Sequence, residues 1–272
     1  MPLQRDTAVR PIGIFSTRSI NGNIPAFGSP DNMKAQFLAD VDAGLSKTQK
    51  SLPSKYFYDK KGDALFMQIM ALPEYYLTRA EMEIFKQHSQ QMIASFGVEK
   101  QIHFELIELG AGDGSKTKKL LKALLEQDYQ FDYMPIDISS NALEHLQSKL
   151  LSGLPKLSII PTLGDYFEKL SELKHSHHPK VVLFLGSNIG NFLDWQAARF
   201  IYDLGSNLSF GDKLLIGVDR IKPARTVLPA YDDKQGITRE FNLNLLRRIN
   251  RELSADFDPA QFSLAGLVLG SR

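Results

Sequence analysis

The stretch that decides the fold is ELGAGDGSKT, residues Glu108–Thr117. An apolar run over residues 103–109 leads into its glycines and is predicted to be a strand. Leucines at helical spacing follow and predict a helix over residues 115–126. A strand, a glycine turn and a helix form the first unit of a nucleotide-binding α/β domain, because glycine admits a close ligand and the helix N-terminus adds a favourable dipole. The turn alone does not identify the nucleotide.

Further apolar runs alternate with helical patterns after this turn. The later runs predicted as strands cover residues 133–138, 157–161, 181–186 and 213–219, and helices are predicted from 139 to about 151 and over 194–208. The run at 181–186 carries no charge, as expected of a strand buried on both faces. Strands that alternate with helices in this way predict an α/β fold with a doubly wound parallel sheet.

The residues before this sheet have a different pattern. Residues 1–30 are rich in proline and glycine and are predicted to form an extended arm. A helix is predicted to run from Asp31 to Leu45. Thr78 is predicted to cap the next helix, over residues 79–95, with Glu81 completing a capping box.

Four tyrosines lie among proline and glycine breaks between these two helices, at Tyr56, Tyr58, Tyr75 and Tyr76. Such side chains can pack a helical cap onto the main domain. They can also line a pocket that needs an apolar wall and a hydroxyl group. Packing is the favoured interpretation for most of them, and the residues alone leave both open.

Composition narrows the classes of partner. The chain has 272 residues with 32 basic and 31 acidic side chains, so nothing favours a nucleic-acid partner. It has no cysteine, which excludes disulfides and thiolate chemistry and fits a reducing compartment. No apolar run approaches the ~20 residues that span a bilayer, so we expect a cytoplasmic protein without membrane contact.

A histidine cluster, His175, His177 and His178, lies in a charged loop where solvated side chains are more common than a metal site, so no metal is expected.

Three acidic residues near predicted strand ends indicate the ligand. Glu108 ends the first strand, Asp137 lies near the end of the second and Asp165 follows the third. Asp137 is placed to meet ribose hydroxyls, whereas Glu108 would repel a pyrophosphate and suits a sulfonium with an amino-acid tail. The glycine spacing is G-x-G-x-G rather than the G-x-G-x-x-G of dinucleotide enzymes. These features favour S-adenosylmethionine (SAM) over NAD, which leaves an NAD-dependent oxidoreductase as a disfavoured alternative.

Several long motifs in the same order resemble the histidine-specific SAM-dependent methyltransferases, the family of the L-histidine Nα-methyltransferase of ergothioneine biosynthesis. The motifs are LPSKYFYDKKGDALF (52–66), LPEYYLTRAE (72–81), ELGAG (108–112), FLGSNIGN (184–191), AYDDKQGITREFNLN (230–244) and NREL (250–253). The resemblance implies a Rossmann-like class I methyltransferase fold with an N-terminal helical cap and a partial substrate-binding domain. It divides the chain into the arm 1–30, a cap 31–100 that contributes to the active site, a SAM-binding core 101–220 and a partial substrate-recognition region 221–272.

The same resemblance implies roles for individual residues. The expected cofactor positions are Tyr58, Gly110, Lys116, Asp137, Asp165 and Tyr166. Gly112 is added because it belongs to the glycine turn, and Glu108 because of its negative charge beside that turn. Tyr75, Asn191 and Tyr231 are expected to grip the amino acid, while Phe66 and Gly186 line the same cavity. Tyr58 and Asn191 are the expected catalytic positions, with Tyr58 orienting the amine.

The implied activity is SAM-dependent methylation of the α-amino group of an amino acid, most simply L-histidine, giving trimethylhistidine and S-adenosylhomocysteine (SAH). A tryptophan derivative is an alternative acceptor, and a catalytically impaired SAM- or SAH-binding relative is an alternative function. The motifs run from about residue 50 to 260, and the sequence after Asp258 shows no match to the family. We therefore expect a truncated or divergent member that lacks part of substrate recognition and is a monomer or a weak homodimer.

Overall fold

The computed structural model describes residues 30–264, which fall into two compact units. One, here called the sheet unit, is Tyr76–Arg220. The other, the helical unit, comprises the described parts of Met1–Tyr75 and Ile221–Arg272. The predicted arm lies outside the described residues except for Pro30, which begins the first helix.

The described residues contain nine α-helices and five strands. The helices are α1 Pro30–Leu45, α2 Lys60–Ala71, α3 Tyr76–Phe96, α4 Thr117–Glu126, α5 Ser140–Gly153, α6 Tyr166–Leu173, α7 Asp194–Gly205, α8 Ala224–Tyr231 and α9 Ile237–Leu253. The strands are β1 Phe104–Leu109, β2 Phe131–Asp137, β3 Thr162–Leu163, β4 Lys180–Phe184 and β5 Lys213–Ile216.

The strands form one parallel sheet in the order β3-β2-β1-β4-β5. The order reverses beside β1, which pairs with β2 on one side and β4 on the other. This arrangement confirms the predicted doubly wound sheet. Ligands of such sheets bind at the carboxyl ends of the strands, next to the point of reversal.

The core of the sheet unit lies on both faces of β1, because successive strand side chains point to opposite faces. Phe104 and Leu106 pack with apolar side chains of α3, α4 and α5. Ile107 and Leu109 pack on the other face with side chains of α6 and α7. All six residues of β1 are buried, as expected of a central parallel strand.

The helical unit is built around α9. Leu245 and Ile249 of this helix pack with Phe37 of α1 and with Tyr56 in a short 3-10 turn. The Arg248 guanidinium lies 5.2 Å from the centre of the Phe37 ring and donates a hydrogen bond to the Tyr56 carbonyl at 3.1 Å. The Arg248 side chain thus contacts two segments that lie about 200 residues earlier in the sequence.

Asp59 joins α2 to α9. Its carboxylate accepts hydrogen bonds from the Gly62 N–H at 2.8 Å, from Asn244 Nδ2 at 2.8 Å and from Arg251 at 2.7 Å. Burial acts to raise the pKa of Asp59, but these hydrogen bonds outweigh it and lower the pKa below its ordinary value. The ionised carboxylate therefore stabilises this junction.

The third predicted strand is misplaced. Of residues 157–161, Ile159 forms an isolated bridge with Tyr133, and the regular strand β3 comes later. Tyr133 of β2 bonds this segment through its N–H, to the Ser158 carbonyl at 2.9 Å, and through its carbonyl, from the Ile160 N–H at 2.8 Å. The next residue of β2 that faces the segment is Pro135. Proline has no N–H to donate, so the ladder is interrupted at Pro135 and the regular pairing resumes at Thr162.

The predicted start of α3 is also wrong. The helix begins at Tyr76, so Thr78 lies inside it, and the Glu81 carboxylate is bonded to other parts of the sheet unit. The compact units divide at Tyr75, which groups α3 with the sheet rather than with the preceding helices. The functional division of the chain at residue 100 stays a prediction.

Gly114 is the glycine that lets α5 pack against the turn after β1. Its backbone φ is +64°, and a Cβ atom there would lie 2.1 Å from Leu146 Cδ1. Leu146 is fully buried and has little room to move. The absence of a side chain at this position therefore serves packing within the unit.

We expect Gly114→Ala to lower the free energy of unfolding by about 3 kcal/mol, through backbone strain and overpacking. Gly211→Ala is the matched control, because Gly211 also has a positive φ of +97° but no described atom lies within 4 Å of its Cβ position. That variant should lose about 1 kcal/mol, from strain alone. Urea denaturation measures both, and equal losses would contradict the packing role of Gly114.

Candidate functional site

The turn after β1 has one glycine that is open to a ligand. Gly110 has φ +70°, and a Cβ atom there would lie 2.6 Å from the Tyr166 hydroxyl. Gly112 has φ +57°, is exposed, and has no atom of the described chain within 4 Å of its Cβ position. A ligand can therefore approach the backbone at Gly112 closely, while Tyr166 covers Gly110. This geometry fits the close backbone approach that a nucleoside cofactor needs.

Two of the three predicted acidic residues are half-buried and cap local structure. Asp137 ends β2 and accepts a hydrogen bond from the Ser139 N–H at 3.0 Å. Asp165 caps α6 and accepts from the Phe167 N–H at 2.9 Å. Both carboxylates are fixed by their own backbone, which suits side chains that must meet a ligand without reorganising. Their contacts with a cofactor stay predictions.

Glu108 differs from these two, and its predicted contact with a cationic ligand does not fit the structure. Its exposed fraction is 1%, and its two carboxylate oxygens accept hydrogen bonds from Thr117 Oγ1 at 2.8 Å and from the Tyr133 hydroxyl at 2.6 Å. Burial raises the pKa of Glu108 to about 7, although both hydrogen bonds oppose the rise. Through these two hydrogen bonds Glu108, which lies in β1, links that strand to α4 and to β2.

Lys116 is held by a residue for which the sequence predicted another role. Its ammonium forms an ion pair with Glu81 of α3. The second oxygen of Glu81 accepts a hydrogen bond from the Gly186 N–H at 2.7 Å. Glu81 thus connects a predicted cofactor position with a predicted substrate position, and no local sequence signal marks that connection.

The segment after β4 places the side-chain amide of Asn188 beside the glycine turn. Asn188 and Asn191 begin and end a short 3-10 turn, which follows Gly186 at φ +77° and Ser187 in a left-handed conformation. The Asn188 amide lies 3.4 Å from the Cβ position of Gly186 and 3.7 Å from that of Gly110. Asn191 is exposed at the end of the turn. Asn188 was missed by sequence reasoning, although it stands in the FLGSNIGN motif.

The helical unit gathers four predicted site residues into one aromatic cluster. Tyr58 meets Phe66 edge-on, with ring centres 5.5 Å apart, and Phe66 and Tyr75 are 6.4 Å apart. Tyr75 in turn lies 6.1 Å from Tyr231. Phe241 of α9 completes the cluster, at 5.7 Å from Tyr58 and 5.8 Å from Phe66. Phe241 was not predicted as a site residue; the signal that could have found it is its place in the quoted motif of residues 230–244.

The predicted residues therefore form two groups. The cofactor positions other than Tyr58 lie in the sheet unit with Gly186 and Asn191, and Tyr58, Phe66, Tyr75 and Tyr231 lie in the helical unit. Among residues 30–264, no three His, Cys, Asp or Glu side chains are grouped so that they could hold a metal ion. The described helices also include none that is long and apolar enough to cross a membrane.

Comparison with known proteins gives one family over most of the chain. Residues 37–268 match the model of a family described as histidine-specific methyltransferase, SAM-dependent. This match starts earlier and ends later than the predicted range of 50 to 260, so the sequence after Asp258 does resemble the family, contrary to the prediction.

Three relatives illustrate the match. The histidine N-alpha-methyltransferase of Mycolicibacterium smegmatis is 41% identical over 219 residues, which cover 80% of this chain and 66% of that protein. The protein of the same name from Mycobacterium tuberculosis is 40% identical over 223 residues, covering 82% and 68%. Ergothioneine biosynthesis protein 1 of Neurospora crassa is 37% identical over 203 residues, covering 74% and 23%. The chain thus spans about two thirds of the length of the two bacterial relatives.

Glu108→Gln tests the raised pKa of the buried Glu108 carboxyl. A carboxyl whose pKa is about 7 when folded and near 4.5 when unfolded retains its proton longer in the folded state. Stability is therefore lost as pH rises from about 4.5 to 7, by up to about 3 kcal/mol. We expect Glu108→Gln, which has no charge to bury, to gain stability relative to the wild type over this range.

Urea denaturation at about pH 5 and pH 8 measures the effect as a difference between variant and wild type, so that other titrating groups cancel. Glu144→Gln removes an exposed carboxylate and is the control. A difference between Glu108→Gln and wild type that is the same at both pH values would contradict the raised pKa.

Proposed function

Because this chain belongs to the histidine-specific, SAM-dependent methyltransferase family, we propose that it methylates the α-amino group of an amino acid, and that L-histidine is the acceptor. The observation that carries the proposal is a family match over residues 37–268, which includes both the glycine turn and the aromatic cluster. The two bacterial relatives are named for the same reaction on histidine. The expected product is trimethylhistidine, the intermediate of ergothioneine biosynthesis also called hercynine.

Family membership confirms two predictions made from the sequence. The predicted family is correct, and its cofactor is SAM rather than NAD. The parallel sheet of the sheet unit agrees with the Rossmann-like class I methyltransferase fold that the family implies. SAM supplies a methyl group that is already activated as a sulfonium, so the protein has mainly to bind and align the two reactants.

We propose the cofactor residues that the family resemblance implies, and their geometry supports the proposal. Gly112 offers open backbone, and Lys116 offers an ammonium that suits the carboxylate of the cofactor's amino-acid tail. Asp137 is assigned to the ribose hydroxyls, and Asp165 with Tyr166 to the adenine. The side chains of Lys116, Asp137 and Asp165 are each held by a bond within the sheet unit, so they are preorganised for a ligand.

The substrate residues are assigned from the family motifs. Asn191 can both donate and accept hydrogen bonds, which suits the zwitterionic end of an amino acid, and Tyr231 is assigned to the same end. Tyr75, Phe66 and Gly186 are assigned to the cavity around the side chain. Tyr58 is assigned to orient the amine, which must be neutral to attack. An α-amine is mostly protonated at neutral pH even at the end of a peptide, where its pKa is about 8, so the site has to favour the neutral form.

A tryptophan derivative is the second candidate acceptor. The 4-dimethylallyltryptophan N-methyltransferase of Epichloe festucae is 29% identical over 202 residues, covering 69% of this chain and 56% of that protein. An aromatic cluster such as that of Tyr58, Phe66, Tyr75 and Phe241 can pack against an indole as well as an imidazole. We also propose a cytoplasmic location, which the absence of cysteine fits, and a monomer or a weak homodimer as the oligomeric state.

Mass spectrometry of products from a panel of amino acids with SAM tests the proposal. We expect histidine to gain one, two and three methyl groups, and tryptophan and 4-dimethylallyltryptophan to remain unmodified. Methylation of a tryptophan derivative but not of histidine would show that histidine is not the acceptor. If the chain binds SAM or SAH but forms no methylated product, it is a cofactor-binding relative of the enzyme and lacks this activity.

Asn191→Ala should separate substrate binding from cofactor binding. We expect calorimetry to show at least a tenfold loss of histidine affinity with unchanged SAH affinity, because one or two hydrogen bonds to a charged ligand disappear. Gln101→Ala removes an exposed amide from another part of the sheet unit and is the control. If Asn191→Ala loses SAH affinity instead, Asn191 belongs to the cofactor site.

A further inference from the structure

Glu81 lies at the centre of a small network in the sheet unit. One carboxylate oxygen forms the ion pair with Lys116 Nζ, and the other accepts the hydrogen bond from the Gly186 N–H at 2.7 Å. The exposed fractions of the two paired side chains are 14% for Glu81 and 16% for Lys116. An ion pair with so little solvent contact is screened much less than a surface pair.

The backbone around Glu81 leaves room for this carboxylate. Gly217 directly follows β5, and a Cβ atom there would lie 2.4 Å from Glu81 Oε1 and 3.3 Å from the Leu185 Cα. A side chain at this position would displace either the carboxylate or the end of β4. Tyr76, at the start of α3, also hydrogen-bonds Asp219, which holds the first turns of the helix to the segment after β5.

The two partners of Glu81 belong to different parts of the proposed chemistry. Lys116 opens α4 and is assigned to the cofactor. Gly186 opens the segment that leads through Asn188 to Asn191, which is assigned to the substrate. A lysine ammonium has three donors on a flexible chain, so one bond to a fixed carboxylate orients the remaining two.

We propose that Glu81 is a positioning residue for methyl transfer, which aims the Lys116 ammonium at the cofactor and holds the Gly186–Asn191 segment through the Gly186 N–H. The inference rests on the proposed function, because the roles of Lys116 and Asn191 do. Glu81 itself touches neither reactant and acts through these two partners.

Two substitutions distinguish the effect of the Lys116 ion pair from that of the Gly186 hydrogen bond. Glu81→Gln keeps an oxygen that can accept from the Gly186 N–H but removes the charge that pairs with Lys116. Glu81→Ala removes both contacts. We expect Glu81→Gln to weaken SAH affinity about tenfold, as for the loss of one charge-assisted hydrogen bond, and to raise the KM for SAM with little change in kcat. Glu81→Ala should lower kcat and raise the KM for histidine as well.

The matched control is Glu126→Gln. It makes the same chemical change on α4 and breaks the exposed Lys122–Glu126 pair, whose side chains are 61% and 63% exposed. We expect SAH affinity and kinetics unchanged in this variant, because exposed pairs contribute little. Thermal melting of every variant shows whether the fold is intact, and Glu81→Gln provides the test if Glu81→Ala does not fold.

A double-mutant cycle with Lys116→Met decides whether Glu81 acts through Lys116. We expect Glu81→Gln to have no further effect on SAH affinity in the Lys116→Met background. An unchanged affinity in Glu81→Gln alone, or the same loss in both backgrounds, would overturn the inference. Calorimetry with SAH needs no acceptor, so a wild-type chain that binds SAH without methylating any amino acid sinks the proposed activity and leaves the cofactor part of this test in force.

Discussion

The sheet unit depends on one backbone constraint, the left-handed turn that follows the central strand β1. Gly110, Gly112 and Gly114 all have positive φ, a conformation that costs an L-residue about 1–2 kcal/mol at each position. The three glycines then serve different neighbours, because the first lies under Tyr166, the second faces open space and the third packs on Leu146. The turn therefore closes the core on one side and leaves backbone accessible on the other, which is the combination a nucleoside site requires.

Carboxylates near this turn differ in use because they differ in surroundings. Glu108 is enclosed and supports the strands from within, whereas Asp137 and Asp165 remain partly exposed at the ends of their segments. Glu81 comes from a helix that precedes the sheet in sequence, yet it bonds both to Lys116 and to the backbone after β4. Residue type and chain position assign Glu108, Asp137 and Asp165 alike to one edge of the sheet, and only burial and hydrogen-bond partners distinguish Glu108 from the other two.

The sequence was sufficient for features that arise locally, and insufficient where distant partners decide. Apolar runs that alternate with helical patterns predicted a doubly wound parallel sheet, and long motifs predicted the family. Residues 157–161 were misplaced as a strand because Pro135 of the neighbouring strand β2 has no N–H to donate to them, which their own apolar pattern does not reveal. The Glu81 partners lie 35 and 105 residues away, and the local Thr78–Glu81 spacing suggested a cap instead. Phe241 likewise joins Tyr58 and Phe66 across a separation that no local pattern reveals.

The division of the chain has a consequence for the order in which the protein is made. The sheet unit is continuous from Tyr76 to Arg220, whereas the helical unit needs α1 and α2 from one end and α8 and α9 from the other. During synthesis, domains generally fold as their residues emerge, and contacts between distant segments form late. The β1 to β5 sheet can therefore be complete on the ribosome while Phe37 and Tyr56 still wait for Leu245 and Ile249. Until α9 emerges, Phe37 and Val41 of α1 lack the apolar side chains of α9 that bury them in the folded protein.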